Sequence, residues 1–171
     1  ESELLDHGYY IYGWRQVPIN NSVIGEKANS TRPEIEQVMF VNNIERDKDF
    51  DFAKELYLVR RRLEKRIAKQ QINGFYVCSL SFESIIYKGL FLAEQLSIFY
   101  PDLANEEFIS SFAVFHQRYS TNTFPSWGLA QPFRLLAHNG EINTISGNIN
   151  WMRNHQTRIT TEIFGDDSEQ V

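Results

Sequence analysis

Cysteine is almost absent from this chain: Cys78 is the single one in 171 residues. One thiol rules out an internal disulfide framework, suits a reducing compartment such as the cytoplasm, and cannot by itself anchor a zinc or iron–sulfur site. A surplus of basic charge is absent too. The 17 Lys and Arg are outnumbered by 22 Asp and Glu, and the net charge of −5 argues against a nucleic-acid surface. No apolar run reaches the length that spans a membrane, and the start, Glu1-Ser2-Glu3-Leu4-Leu5-Asp6, lacks the basic region and apolar core of a signal peptide. There is no initiator Met either, so the chain reads as a segment of a longer one.

What is there is a globular composition, 42% hydrophobic and 14% aromatic, in a length that suits one domain with its own core. Gly8 to Trp14 and Ile35 to Val41 have the aromatic and β-branched content of strands. Asp49 to Gln71 is the clearest helix. Leu56, Val59, Leu63 and Ile67 recur at spacings of three and four, while the arginines between Arg60 and Arg66 mostly cover the other face. With Glu55 and Glu64 interspersed, those arginines read as a solvated face rather than a phosphate patch. Gly74 is the expected left-handed stop. Phe75–Ser81 and Ser84–Tyr87 read as a hairpin, Leu90–Phe99 as a short helix with Leu92, Leu96 and Phe99 on one side, and Gly147–Arg153 as the start of another. The pattern amounts to a mixed α+β domain with at least six strands and two good helices.

The residues that carry chemistry lie between His116 and Asn143, in two halves built alike. Phe112-Ala113-Val114-Phe115 runs into His116-Gln117-Arg118, and Phe133-Arg134-Leu135-Leu136-Ala137 runs into His138-Asn139-Gly140. Short apolar runs bounded by turn formers read as buried strands, which puts Arg118 and Asn139 at strand ends. Taken alone, Asn139-Gly140 is a strong hairpin signal and needs no function. Its company adds the chemistry. A guanidinium grips a carboxylate through two hydrogen bonds, so Arg118 can hold the α-carboxylate of an amino acid. An Asn side-chain amide beside a Gly backbone N–H can converge on one oxygen, as a tetrahedral intermediate of acyl transfer requires. Cys78, in the middle of an apolar run with no His or cation nearby in sequence, reads as an inert buried thiol. His116 and His138, without a third ligand at metal-binding spacing, read as structural or supporting side chains. Trp127 fits either a pocket wall or the edge of the core.

At these residues the chain also resembles a known family. The run from Phe115 through His116, Arg118 and Thr121 to Trp127, followed by Ala130-Gln131-Pro132-Phe133-Arg134 and Ala137-His138-Asn139-Gly140-Glu141-Ile142-Asn143-Thr144, is similar to the class II glutamine amidotransferase domain of the glutamate synthases. Gly13 to Pro18, Asn21 to Gly25, Tyr87-Lys88-Gly89 and Phe99 to Leu103 resemble the same family in the same order. The likeness covers nearly the whole chain, so residues 1–171 are expected to be part of a single amidotransferase domain. It implies the N-terminal nucleophile hydrolase fold, a four-layer α/β/β/α sandwich, incomplete here at its N-terminus.

The activity the resemblance implies is release of ammonia from the side-chain amide of glutamine. Arg118 then binds the glutamine carboxylate with help from the Thr121 hydroxyl, His138 joins them in the substrate site, and Asn139 with the Gly140 N–H stabilises the oxyanion. The family's nucleophile is a cysteine at the first position of the mature chain, where the free α-amino group acts as its base. Residue 1 here is Glu, so the resemblance expects the nucleophile outside these residues and the segment alone to be inactive. Asp166 and Asp167 are left out of the site, because the family's ammonium-binding Asp lies in a different setting. No cofactor is expected in this segment. FMN and an iron–sulfur cluster belong to other domains of the parent enzyme, which aminates 2-oxoglutarate with electrons from a small subunit or ferredoxin. The partners are glutamine and those synthase domains, with neither nucleic acid nor membrane among them. The alternatives are a non-catalytic structural fragment, or a related amidotransferase with another ammonia acceptor, against which Phe124-Pro125-Ser126-Trp127 and Glu141-Ile142-Asn143-Thr144 argue.

Overall fold

The computed structural model describes residues 1–47, 50–119, 123–133, 144–156 and 165. The chain forms one unit over Glu1–Leu136 and a second over Ala137–Val171.

The first unit is built on an antiparallel ribbon. Helix α1 (Ser2–Asp6) turns into β1 (Tyr9–Gln16) at Gly8, whose φ of 78° is left-handed and whose missing Cβ would lie 2.7 Å from Ile44. After a 3-10 turn at Asn21–Val23 and α2 (Glu26–Ser30), β2 (Glu36–Asn42) returns along β1. The register runs from Tyr9 opposite Asn42 to Gln16 opposite Glu36, with a bulge between Ile11 and Gly13. Alternation along a pleated strand sends Tyr9, Ile11, Val38 and Phe40 inward and leaves Tyr10, Tyr12, Trp14, Met39 and Val41 exposed.

The inner face packs on α3 (Phe52–Lys69), where Leu4, Tyr9, Leu56 and Val59 make a closed core. Each such buried side chain contributes about 1.5–3 kcal/mol. Helix α3 starts at Asp51, whose side chain accepts a hydrogen bond from the Lys54 N–H at 2.9 Å. Its stop differs from the expected Gly74. Gln71 takes the left-handed position (φ 57°), its N–H donating to Ala68 O at 3.1 Å while the Ile72 N–H donates to Ile67 O at 3.2 Å. Those are the two bonds of a Schellman motif, and Gly74, also left-handed, lies beyond it.

The arginines of α3 form the expected solvated face only in part: Arg66 is exposed, Arg61 and Arg62 are half-buried, and each has a partner. Arg60 is buried and pairs with Glu64 at 2.8 Å, Arg61 meets the same carboxylate at 3.0 Å, Arg62 reaches His7 at 2.8 Å and Arg66 reaches Glu3 at 2.9 Å. Glu55 gathers the His7 ring at 3.2 Å, the Arg46 guanidinium at 3.1 Å and the Tyr9 hydroxyl. Burial first, and Glu55 second, push the Tyr9 hydroxyl to a higher pKa. These pairs bind α1 and the 42–47 loop to the helix.

A second core gathers Val17, Ile24, Phe99, Tyr100 and Trp127. The expected helix over Leu90–Phe99 is present only as a 3-10 turn, Ala93–Gln95, followed by α4 (Leu96–Phe99), and Leu92 faces solvent. Trp127 is core rather than pocket wall: it is 4% exposed and its indole N–H donates to Ala28 O at 2.9 Å. A Cβ on Gly89 would stand 2.5 Å from the Trp127 ring and 2.4 Å from Phe91, so glycine lets these aromatics close. The two cores are linked by Arg15, which forks onto Asp102 at 2.6 and 2.8 Å while the Tyr87 hydroxyl donates to the same carboxylate at 2.9 Å. Hydrogen bonding from Arg15 outweighs desolvation and holds Asp102 below its usual pKa.

Two expected pairings are not formed. Phe75–Tyr87 is irregular, turned at Ser81, whose hydroxyl accepts from the Glu83 and Ser84 N–H groups at 3.0 and 3.3 Å. Phe112–Phe115 is irregular as well and its aromatic ends are 79% exposed, not a buried strand. Apart from Phe133, the second apolar run lies outside the described residues. Among the described residues β1 and β2 are the sheet, so the α+β class holds with two strands in place of at least six. In the second unit, α5 (Ile145–Gln156) covers the expected helix start at Gly147, with the Asn148 N–H on Thr144 O at 3.1 Å.

Candidate active site

Of the residues expected to touch substrate, Arg118 is the one described. It sits in the irregular stretch before Tyr119, exposed, with its backbone N–H donated to the His116 ring Nδ1 at 3.2 Å. His116 therefore supports the chain locally. Thr121, His138, Asn139 and Gly140 lie outside the described residues, as do Asp166 and Asp167.

Next to Arg118, the Tyr119 hydroxyl accepts from the Ser126 N–H at 3.1 Å and faces Ser126 O at 3.4 Å. Ser126 opens a tight turn, closed by the Leu129 N–H on Ser126 O at 3.2 Å and the Ala130 N–H on Trp127 O at 3.3 Å. On the inner side of that turn lies Lys88, 9% exposed, whose ammonium donates to Gly128 O at 2.7 Å and Ala130 O at 3.1 Å. The same ammonium lies 5.1 Å from the Tyr76 ring centre and 5.4 Å from that of Phe133, within cation–π range. The Tyr100 hydroxyl donates to Lys88 O at 2.8 Å and so fixes the backbone that carries it.

Lys88 and Cys78 line one cavity of about 70 Å³, with Tyr76, Val77, Gly128, Pro132 and Phe133. Cys78 is thus neither in a strand nor remote from a cation: it is half-buried, and Lys88 is its neighbour across the cavity wall. Distance in sequence hid this. Burial, then the Cys78 thiol, pushes the Tyr76 hydroxyl up to about 12. Lys88 carried two signals in the sequence: it is a lone cation between Ile85-Ile86-Tyr87 and Gly89-Leu90-Phe91, and it stands in the Tyr87-Lys88-Gly89 string that resembles the family. Among the described residues no three His, Cys, Asp or Glu side chains gather as a metal site, and no helix is long and apolar enough to cross a membrane.

The family of class II glutamine amidotransferases matches residues 1–171. The chain belongs to the class II glutamine amidotransferases. The chain is 65% identical over 165 residues to the glutamate synthase [NADPH] large chain of Azospirillum brasilense, a stretch covering 96% of this chain and 11% of that one. It is 49% identical over 158 residues to the chloroplastic ferredoxin-dependent glutamate synthase of Spinacia oleracea, covering 92% and 10%. To the glutamate synthase [NADPH] large chain of Bacillus subtilis it is 43% identical over 164 residues, covering 96% and 11%. The amidotransferase chain therefore spans about a tenth of the length of these curated relatives.

Proposed function

We propose that this chain is part of the glutaminase domain of a glutamate synthase, releasing ammonia from glutamine for the reductive amination of 2-oxoglutarate elsewhere in the enzyme. The observation that carries it is the 65% identity to the Azospirillum brasilense large chain across nearly all of these residues. Residues 1–171 form part of a single domain in this reading, with the four-layer N-terminal nucleophile hydrolase sandwich. The match of one family along the whole chain supports that.

A cysteine thiolate attacks the amide carbon of glutamine, ammonia leaves, and water hydrolyses the glutamyl thioester. Arg118 binds the α-carboxylate through its fork, Thr121 and His138 complete the hold on the substrate, and Asn139 with the Gly140 N–H stabilises the oxyanion. Cys78 has no part in the attack. FMN and the iron–sulfur cluster belong to other domains in this reading, and for the cluster a single cysteine could not supply the thiolates. The electrons come from a small subunit or from ferredoxin, and the compartment is the reducing cytoplasm.

Steady-state glutaminase kinetics of the full-length enzyme test this. Removing one oxyanion donor costs about 3–4 kcal/mol of barrier, so Asn139→Ala lowers kcat on the order of a hundred- to a thousandfold with KM for glutamine nearly unchanged. An Asn139→Ala enzyme with full kcat would sink the oxyanion assignment. In the same assay Cys78→Ala keeps its activity, and its loss would make Cys78 the nucleophile.

A further inference from the structure

The chemistry proposed above assigns Lys88 no step, yet its burial is costly. A buried ammonium carries a desolvation cost of several kcal/mol, and a neutral side chain would fill the same space without it. What the charge does here is visible in its partners. The carbonyl oxygens of Gly128 and Ala130 converge on one point, and two partial negative charges so aimed repel each other unless a cation sits between them. The tight turn Ser126–Ala130 therefore depends on Lys88 for its shape, while the Trp127 indole on Ala28 O and the Tyr100 hydroxyl on Lys88 O fix the two sides of the clamp to the core. From the outer side of the turn the Ser126 N–H reaches the Tyr119 hydroxyl, and Tyr119 is the residue after Arg118. Arg118 itself lies in an exposed, irregular stretch that supplies no sheet to hold it. A bidentate carboxylate grip fails when the fork is displaced by about an ångström, so the guanidinium needs a fixed base.

We propose that Lys88 is a positioning residue for glutamine binding: through the Ser126–Ala130 turn and the Tyr119 hydroxyl it holds Arg118 where the guanidinium can meet the substrate's α-carboxylate. This rests on the assignment of Arg118 as the carboxylate anchor. Lys88 touches neither substrate nor nucleophile and acts on affinity rather than on the chemical step.

The test is glutaminase kinetics in the full-length protein for Lys88→Met, Tyr119→Phe, Arg118→Lys, and each of the first two combined with Arg118→Lys. Lys88→Met and Tyr119→Phe each raise KM for glutamine about tenfold with kcat within about twofold, and neither adds a further rise in the Arg118→Lys background. Tyr119→Phe removes one hydroxyl and no buried charge, so it carries the test by itself if Lys88→Met does not fold. An equal rise in KM with or without Arg118→Lys, or a fall in kcat at unchanged KM, overturns the relay. Unchanged KM in Arg118→Lys alone overturns the anchor beneath it, a separate failure seen in the single variant.

Discussion

Helix α3 and the stretch 108–119 are both rich in apolar side chains, yet Leu56 is 1% exposed and Phe115 is 79% exposed. The helix makes its own backbone hydrogen bonds, starts at a side-chain cap on Asp51 and stops in a motif closed by Gln71. Its hydrogen bonding is thus satisfied within the segment, and it presents Leu56 and Val59 as one stripe to the ribbon. An extended run has no such autonomy. Phe112–Phe115 can bury its backbone only against a neighbouring strand, and among the described residues it pairs with none. Both segments are at least half apolar; the difference is whether the hydrogen-bond partners lie within the segment or outside it.

The largest expected effect breaks the helix side of that contrast. Leu56→Ala removes a fully enclosed side chain, and about 2–5 kcal/mol of stability goes with it, read as a lower urea midpoint. A loss under about 1 kcal/mol would mean that the stripe is not what holds α3 to the ribbon.

A smaller effect belongs to Asp102, an anchor in the chain just ahead of the exposed stretch. Its folded pKa is depressed below the ordinary 3.8, so its contribution is present above that value and disappears as pH falls through the folded one. Asp102→Asn therefore costs about 1 kcal/mol at neutral pH, discounted because Arg15 is 40% exposed, and the gap from wild type closes below about pH 4. A gap that stays constant from pH 7 to about pH 3 would show that the carboxylate charge is not what links the two cores.

The smallest effect sharpens the exposed side. Phe115→Ser changes stability by no more than about 0.5 kcal/mol, because a side chain already in water has little burial to lose. Destabilisation by about 2 kcal/mol or more in the same unfolding experiment would show that Phe115 is covered in solution.

Much of the fold was legible where a signal is local. The strand content of Gly8 to Trp14 and Ile35 to Val41 matches β1 and β2, and the three-four spacing of Leu56, Val59, Leu63 and Ile67 matches α3. Legibility failed where a partner decides. The helix stop fell on Gln71 because the hydrogen bonds of Ile72 and Gln71 close there, whereas Gly74 only permits the same backbone. The α3 arginines are tied down by Glu3, His7 and Glu64, and the His7 and Glu3 contacts cannot be inferred from helical periodicity. Of the candidate site, Arg118 is proposed on its chemistry alone, since a guanidinium fork suits a carboxylate wherever it stands. Lys88 could not be recognised in that way, because its partners at Gly128 and Ala130 lie far along the chain.

By itself the sequence determined the family, the mixed α+β class, the ribbon strands and the long helix. Strings of side chains and short-range periodicity record those directly. The tertiary structure alone decided that Trp127 is core, that Lys88 clamps the turn beside Tyr119, and that Phe112–Phe115 faces solvent. Each of those depends on whether residues distant in the chain meet, and the free energy of such a contact is set by which segments come together, a quantity no local pattern carries.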